Sequence, residues 1–189
     1  KEVSKCFLDD FLSQGGEIKY NSEVKSISSQ KNITKVSLNN EEELHADILI
    51  STAGLYSDKI AEMFGIDIQN KKIIPFRGEY YLLKEEFRYL VKGLIYPTPN
   101  PDFPFLGVHF TKMINGEVEA GPNAVLALAR EGYDWKTIKY EDFIESITYI
   151  GLMKFISKYP LITLGEVFRS FSKDIFVKSL QKLIPDIRN

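Results

Sequence analysis

Apolar residues at Val3, Phe7, Leu8, Phe11 and Leu12 recur at helical spacing and stop at Gly15-Gly16, a pattern that predicts an opening helix closed by a left-handed glycine. From Glu17 to Ser51 the pattern shortens to strand-like runs at 17–20, 24–28, 33–38 and 43–51, divided by turns at Gln30-Lys31-Asn32 and Asn39-Asn40. The last run ends in Ile48-Leu49-Ile50, continuously apolar, as expected of a central strand covered on both faces. Ser51-Thr52-Ala53-Gly54-Leu55-Tyr56-Ser57 then leads into a predicted helix over 58–64, with Ser57 as N-cap and Gly65 beyond its end.

Residues 73–123 read as a second, antiparallel sheet, with strands expected at 73–83, 93–96, 105–111 and 117–121 and a hairpin at Asn115-Gly116. Two amphipathic helices are predicted over 140–158 and 173–184, each followed by a proline, Pro160 and Pro185. The succession of sheets and helices predicts an α+β (α/β) fold.

Composition narrows the classes of function. With 189 residues, 44% of them hydrophobic, the chain can bury a core. Lys+Arg 24 against Asp+Glu 26 gives a formal charge of -2, so no overall basic field draws in nucleic acid. No run approaches the roughly 20 apolar residues that span a bilayer. The single Cys6 can form no internal disulfide, and its place on the apolar stripe predicts a buried thiol in a reducing compartment, the cytoplasm. Asn32-Ile33-Thr34 fits the glycosylation pattern and is read as a turn.

Three places carry candidate chemistry. Small residues at Thr52-Ala53-Gly54, after a strand and before a helix, let a ligand approach the backbone; the tripeptide by itself reads first as an ordinary strand-to-helix turn. In Phe105 to Thr111, alternation puts Leu106, Val108 and Phe110 on one face, and Phe105, Gly107, His109 and Thr111 on the other. A gap above Gly107 could seat a substrate beside His109, and an unperturbed imidazole pKa of about 6.5 suits proton abstraction. The competing reading is a histidine hydrogen-bonded on a half-exposed face. Arg77 could offer a fork to a substrate carboxylate, or pair with Glu79 two residues on. His45 is expected at the surface, and the aromatics Tyr80, Tyr81, Phe103 and Phe105 in the core. No Gly-x-Gly-x-x-Gly, zinc-type Cys/His cluster, or Gly-x-Ser-x-Gly occurs in the chain.

In order, the chain contains Gly15-Gly16-Glu17-Ile18 with Asn21-Ser22-Glu23-Val24, then Ala46-Asp47-Ile48-Leu49-Ile50-Ser51-Thr52-Ala53-Gly54-Leu55-Tyr56-Ser57-Asp58, then Ile74-Pro75-Phe76-Arg77-Gly78-Glu79-Tyr80-Tyr81. These are followed by Leu94-Ile95-Tyr96-Pro97, Pro104 to Thr111, Gly121 to Ala127 and Arg130-Glu131-Gly132-Tyr133. This series resembles the FAD-dependent oxidoreductases of the glycine oxidase and D-amino acid oxidase type, and within them the L-2-hydroxyglutarate oxidases and dehydrogenases.

The resemblance implies an FAD cofactor, with Val24 meeting the adenine side through its backbone and Thr52, Ala53 and Gly54 lying against the dinucleotide. It implies that residues 1–72 are the remnant of a Rossmann-like FAD-binding domain, that 73–150 form a substrate-binding antiparallel sheet, and that 151–189 are a helical segment returning towards the FAD domain. His109 would face a 2-hydroxy dicarboxylate as the catalytic base, with Arg77 and Asn123 lining the substrate. The Gly-rich dinucleotide segment and the stretch completing the flavin site would lie outside these residues, so the chain alone is expected to hold FAD weakly or lose it. Electrons would pass to oxygen or to a membrane quinone, the latter with peripheral contact to the inner membrane. An amine-oxidising enzyme of the glycine or sarcosine oxidase type and a folded, non-catalytic fragment are the alternatives.

Overall fold

The computed structural model describes residues 1–30, 33–99, 101 and 105–188. The turn expected at Lys31-Asn32, with the glycosylation triplet it begins, and the expectations on Phe103 and Pro104 lie outside the described residues. The chain forms two compact units, residues 1–71 and 72–189.

The first unit opens with α1 (Glu2–Ser13), which closes as its glycines predict: Gly15 takes φ +84, and the Gly15 and Gly16 N–H groups donate back to the Leu12 and Phe11 carbonyls. A meander follows, β1 (Val24–Gln30), β2 (Ile33–Leu38) and β3 (Glu43–Ala46), antiparallel and in that order. Its alternation buries Ile27, Val36 and Leu38, against which Val24 and Ile60 pack; Ile60 belongs to α2 (Ser57–Met63).

Four expectations for this unit fail. Residues 17–20 form no strand. Ile48-Leu49-Ile50 belongs to no strand among the described residues, and Ile48 and Ile50 are 79% and 81% exposed rather than central. The meander pairs only β1, β2 and β3 among the described residues, and the apolar run beyond β3 joins neither of its edges. Cys6 is exposed and α1 buries no residue, because the unit's apolar cluster is completed by α2 instead. Finally, Ser57 is the first helical residue and not the N-cap; its hydroxyl donates to the Gly54 carbonyl at 2.8 Å.

In the second unit, β4 (Phe76–Arg77) pairs with β9 (Val125–Leu126). A four-stranded antiparallel sheet runs β5-β8-β7-β6, from β5 (Tyr81–Leu82), β6 (Leu94–Ile95), β7 (His109–Lys112) and β8 (Val118–Gly121). The hairpin between β7 and β8 turns at Asn115-Gly116, with Gly116 at φ +86. One sheet face carries Phe110, Val118 and Ala120, all fully buried against Phe176, Val177 and Leu180 of α6 (Lys173–Leu180). Withdrawing a ring such as Phe110 from water contributes about 1.5–3 kcal/mol.

The helix expected over 140–158 is two, α3 (Tyr140–Thr148) and α4 (Ile150–Lys158). A further helix, α5 (Pro160–Phe171), was not predicted. Pro160 reads as a stop signal, yet a residue without an N–H and with its φ already set is equally suited to the first helical position. Arg130 anchors α3, its backbone N–H on Asp142 and its guanidinium on Glu145 at 3.2 Å. Among the described residues no helix is long and apolar enough to cross a membrane.

Candidate active site

His109 stands on the sheet face opposite Phe110. His109 is paired with Gly121 of β8, Thr111 with Glu119, and Leu94 with Thr111. Alternation therefore sends His109, Thr111 and Glu119 away from the core. The Tyr96 ring stacks on the imidazole, centroids 4.3 Å apart and planes 28° from parallel. His109 Nδ1 lies 3.2 Å from the Gly107 carbonyl oxygen, which can only accept; this contact favours the tautomer of the neutral ring with its hydrogen on Nδ1 and its lone pair on Nε2. The expected gap above Gly107 is narrower than the alternation implies, since a Cβ there would come within 3.3 Å of the Pro97 ring. Burial pushes the Tyr80 phenol upward, with Glu119 and Tyr96 adding to the shift, so these groups share the neighbourhood of this face. Tyr80 is half exposed, not in the core, whereas Phe105 packs on Phe76 and Phe155.

Arg77 and Asn123 meet on one carboxylate. Arg77 is buried and donates from Nη2 and Nε to Glu79 Oε1 at 2.9 and 3.3 Å, while Trp135 covers its guanidinium at 4.2 Å. Asn123 donates from Nδ2 to Glu79 Oε2 at 2.6 Å and accepts the Glu79 backbone N–H through Oδ1 at 2.9 Å. Ser170 of α5 donates to Glu79 Oε1 at 2.8 Å and accepts the Trp135 indole N–H at 2.9 Å. Burial pushes the Glu79 carboxyl up, but the hydrogen bonds from Asn123, Ser170 and Arg77, with the charge of Arg77, outweigh it and hold the group below its ordinary value of 4.5. Of the Arg77 fork, only Nη1 is left buried and without a partner. Among the described residues no hydrogen bond or ring contact joins His109 to Arg77 or Asn123.

In the first unit, Thr52, Ala53 and Gly54 form a turn leading through one 3-10 turn into α2; Gly54 takes φ +53, and a Cβ on it would meet nothing within 4 Å. Ser51 and Ser57, on either side of that turn, line a cleft of about 440 Å³ together with Thr34, Asp47, Ile60 and Phe64. Val24 stands at the start of β1, opposite Leu38.

Residues 1–157 match the family model described as "FAD dependent oxidoreductase", abbreviated DAO. The chain belongs to that family. The DAO chain is 46% identical over 188 residues to an L-2-hydroxyglutarate dehydrogenase of Indibacter alkaliphilus, covering 100% of itself and 47% of that protein. It is 43% identical to a mitochondrial L-2-hydroxyglutarate dehydrogenase of Caenorhabditis elegans and 39% identical to an L-2-hydroxyglutarate dehydrogenase of Escherichia coli K12, covering 44% of each. It thus spans about half the length of the curated relatives it matches.

Two features of this candidate site escape the sequence pattern. Tyr96 reaches His109 only through the pairing of two-residue strands, too short to fix register by periodicity. Ser170 lies 91 residues from Glu79, on the helix that Pro160 concealed.

Proposed function

We propose that the flavin-loaded protein oxidises a 2-hydroxy dicarboxylate, L-2-hydroxyglutarate, to the corresponding 2-oxo acid, with His109 as the catalytic base. The observation that carries this reading is the imidazole itself: half-buried on a sheet face, stacked on Tyr96, with Nδ1 at the Gly107 carbonyl and Nε2 without a partner among the described residues. The relatives' names supply the substrate class.

The first unit fits the adenosine side of FAD better than its pyrophosphate. The open backbone at Gly54 would let the dinucleotide pass closely, and the hydroxyls of Ser51, Ser57 and Thr34 with the Asp47 carboxylate suit ribose hydroxyls. A pyrophosphate would want cations or a run of free N–H groups, and among the described residues no Lys or Arg lines this cleft. Thr52, Ala53, Gly54 and the Val24 backbone are the residues we assign to FAD, and residues 1–72 are then the remnant of a Rossmann-like domain. Residues 73–150 are the substrate-binding sheet. An exposed free thiol at Cys6 suits a reducing compartment.

Bound FAD supplies the two-electron acceptor that the oxidation requires. The chain's part is proton management and orientation. With flavin bound as two-electron acceptor for the C2 hydrogen and its bonding pair, His109 Nε2 would take the C2 hydroxyl proton as C2=O forms. Removing a general base of this kind costs about 10²–10⁴-fold in rate. Arg77 and Asn123 are assigned as substrate-lining residues, with Glu79 taking the Arg77 Nη2 and Nε and the Asn123 Nδ2 donors in this structure. Anaerobic mixing of the flavin-loaded protein with L-2-hydroxyglutarate, glycine and sarcosine in turn tests the assignment. Bleaching of the flavin by the hydroxy acid, with 2-oxoglutarate formed in equal amount, is expected; bleaching by the amines alone would refute it.

A further inference from the structure

We infer that Glu79 is a positioning residue, whose carboxylate fixes the close approach of residues 78–80 to residues 121–123 and so sets the place of the strand end that carries His109. The approach is tight: a Cβ on Gly121 would come within 2.7 Å of the Glu79 carbonyl oxygen, and a Cβ on Gly78 within 2.6 Å of the Pro122 Cβ. Gly121 is the register partner of His109. Whatever holds this approach therefore holds the imidazole.

Glu79 is the group on which the holding contacts converge. Its two carboxylate oxygens receive Arg77, Ser170 and Asn123, and its backbone N–H returns a bond to Asn123. The direction of each bond is fixed. Asn123 Oδ1 already accepts the Glu79 N–H, so its Nδ2 must face Oε2. The Ser170 hydroxyl accepts from Trp135, so its one proton goes to Oε1. A network with this single polarity has a specific weakness: a neutral amide at position 79 would set a donor against the Asn123 donor, and a second carboxylate at position 123 would set two anions 2.6 Å apart. The two changes together reverse that one bond, keep one negative charge and leave every partner satisfied. Glu79→Gln and Asn123→Asp should each damage the site, and the pair should repair it.

The chain has two histidines, and His45 lies in the other compact unit, so the ring signal of His109 is a resolved reporter with an internal reference. In NMR spectra of the 189-residue chain, each single variant should displace or double the His109 ring signal, leave that of His45 in place, and speed amide exchange in β7 and β8 by about tenfold or more. The double variant should restore both. Should a single variant fail to fold, the double variant must still fold with the His109 signal at the parent position. Single variants that lower stability but leave the His109 signal unmoved would overturn the assignment, as would a double variant no better than the worse single. The kinetic consequence rests on the reading of His109 as base. A restored signal alongside unaffected turnover in a His109 variant would sink that reading and leave the positioning role standing.

Discussion

Gly121→Ala adds one methyl at the closest backbone approach on the site side of the second unit. The new Cβ would lie 2.7 Å from the Glu79 carbonyl oxygen and 3.2 Å from the Tyr80 Cα, backbone atoms that cannot swing aside as a side-chain tip can. The substituted residue would also have to hold φ +150, where a side chain is rarely found. Conformational strain of this kind costs about 1–3 kcal/mol and overpacking about 1–3 kcal/mol more, so a loss of about 2–6 kcal/mol is expected. Gly116→Ala is the matched control, since Gly116 also has positive φ, at +86, but a Cβ there meets nothing within 4 Å. It should bear the conformational cost without the packing cost. Trp135 is the single tryptophan and lies in the second unit, so its emission follows the unfolding of that unit in urea. With a slope of about 2 kcal/mol per molar urea, the Gly121→Ala midpoint should fall by about 1–3 M, further than that of Gly116→Ala. If Gly121→Ala is as stable as Gly116→Ala, residues 78–80 do not approach residues 121–122 to this distance and the positioning argument loses its basis.

Three further outcomes follow from the same contacts. Because the folded state holds the Glu79 carboxyl below its ordinary value of 4.5, its stabilisation is present above that value and is lost as pH falls through the lower folded value; urea midpoints should therefore drop more steeply below about pH 4.5 in the parent than in Glu79→Gln. Phe110→Ala, which empties a fully buried position beneath His109, should cost about 3–5 kcal/mol by the same Trp135 assay, and Phe110→Leu clearly less. Purified alone, the 189-residue chain should carry less than one flavin per chain by visible absorbance, because the described residues of its cleft offer hydroxyls and a carboxylate but no cation for the pyrophosphate.

The readable parts of the fold are those set by local chemistry. Alternation through Val108, His109 and Phe110 predicts which side is buried, Asn115-Gly116 the hairpin, and Gly15 the end of α1. Failures arise where a local pattern depends on what it meets. Ile48 to Ile50 has the composition of a central strand, but within its unit no strand pairs with it. Cys6 sits on an apolar stripe that covers nothing in its unit. Pro160 both ends one helix and begins the next, which hid α5 and with it Ser170. In the site, the competing explanation of Arg77 as a partner of Glu79 was legible from their i, i+2 spacing. The other half of that network was not, since Asn123 and Ser170 come from 44 and 91 residues away.

The central claim is that His109 takes the substrate's hydroxyl proton, and the most direct test is His109→Gln in the flavin-loaded protein. The amide retains hydrogen-bonding capacity near the imidazole's size but cannot hold a proton at neutral pH. Anaerobic flavin bleaching by L-2-hydroxyglutarate should slow by at least about 10²-fold while flavin content stays at the parent level. Bleaching at the parent rate across a range of pH would show that His109 is a structural residue of its strand.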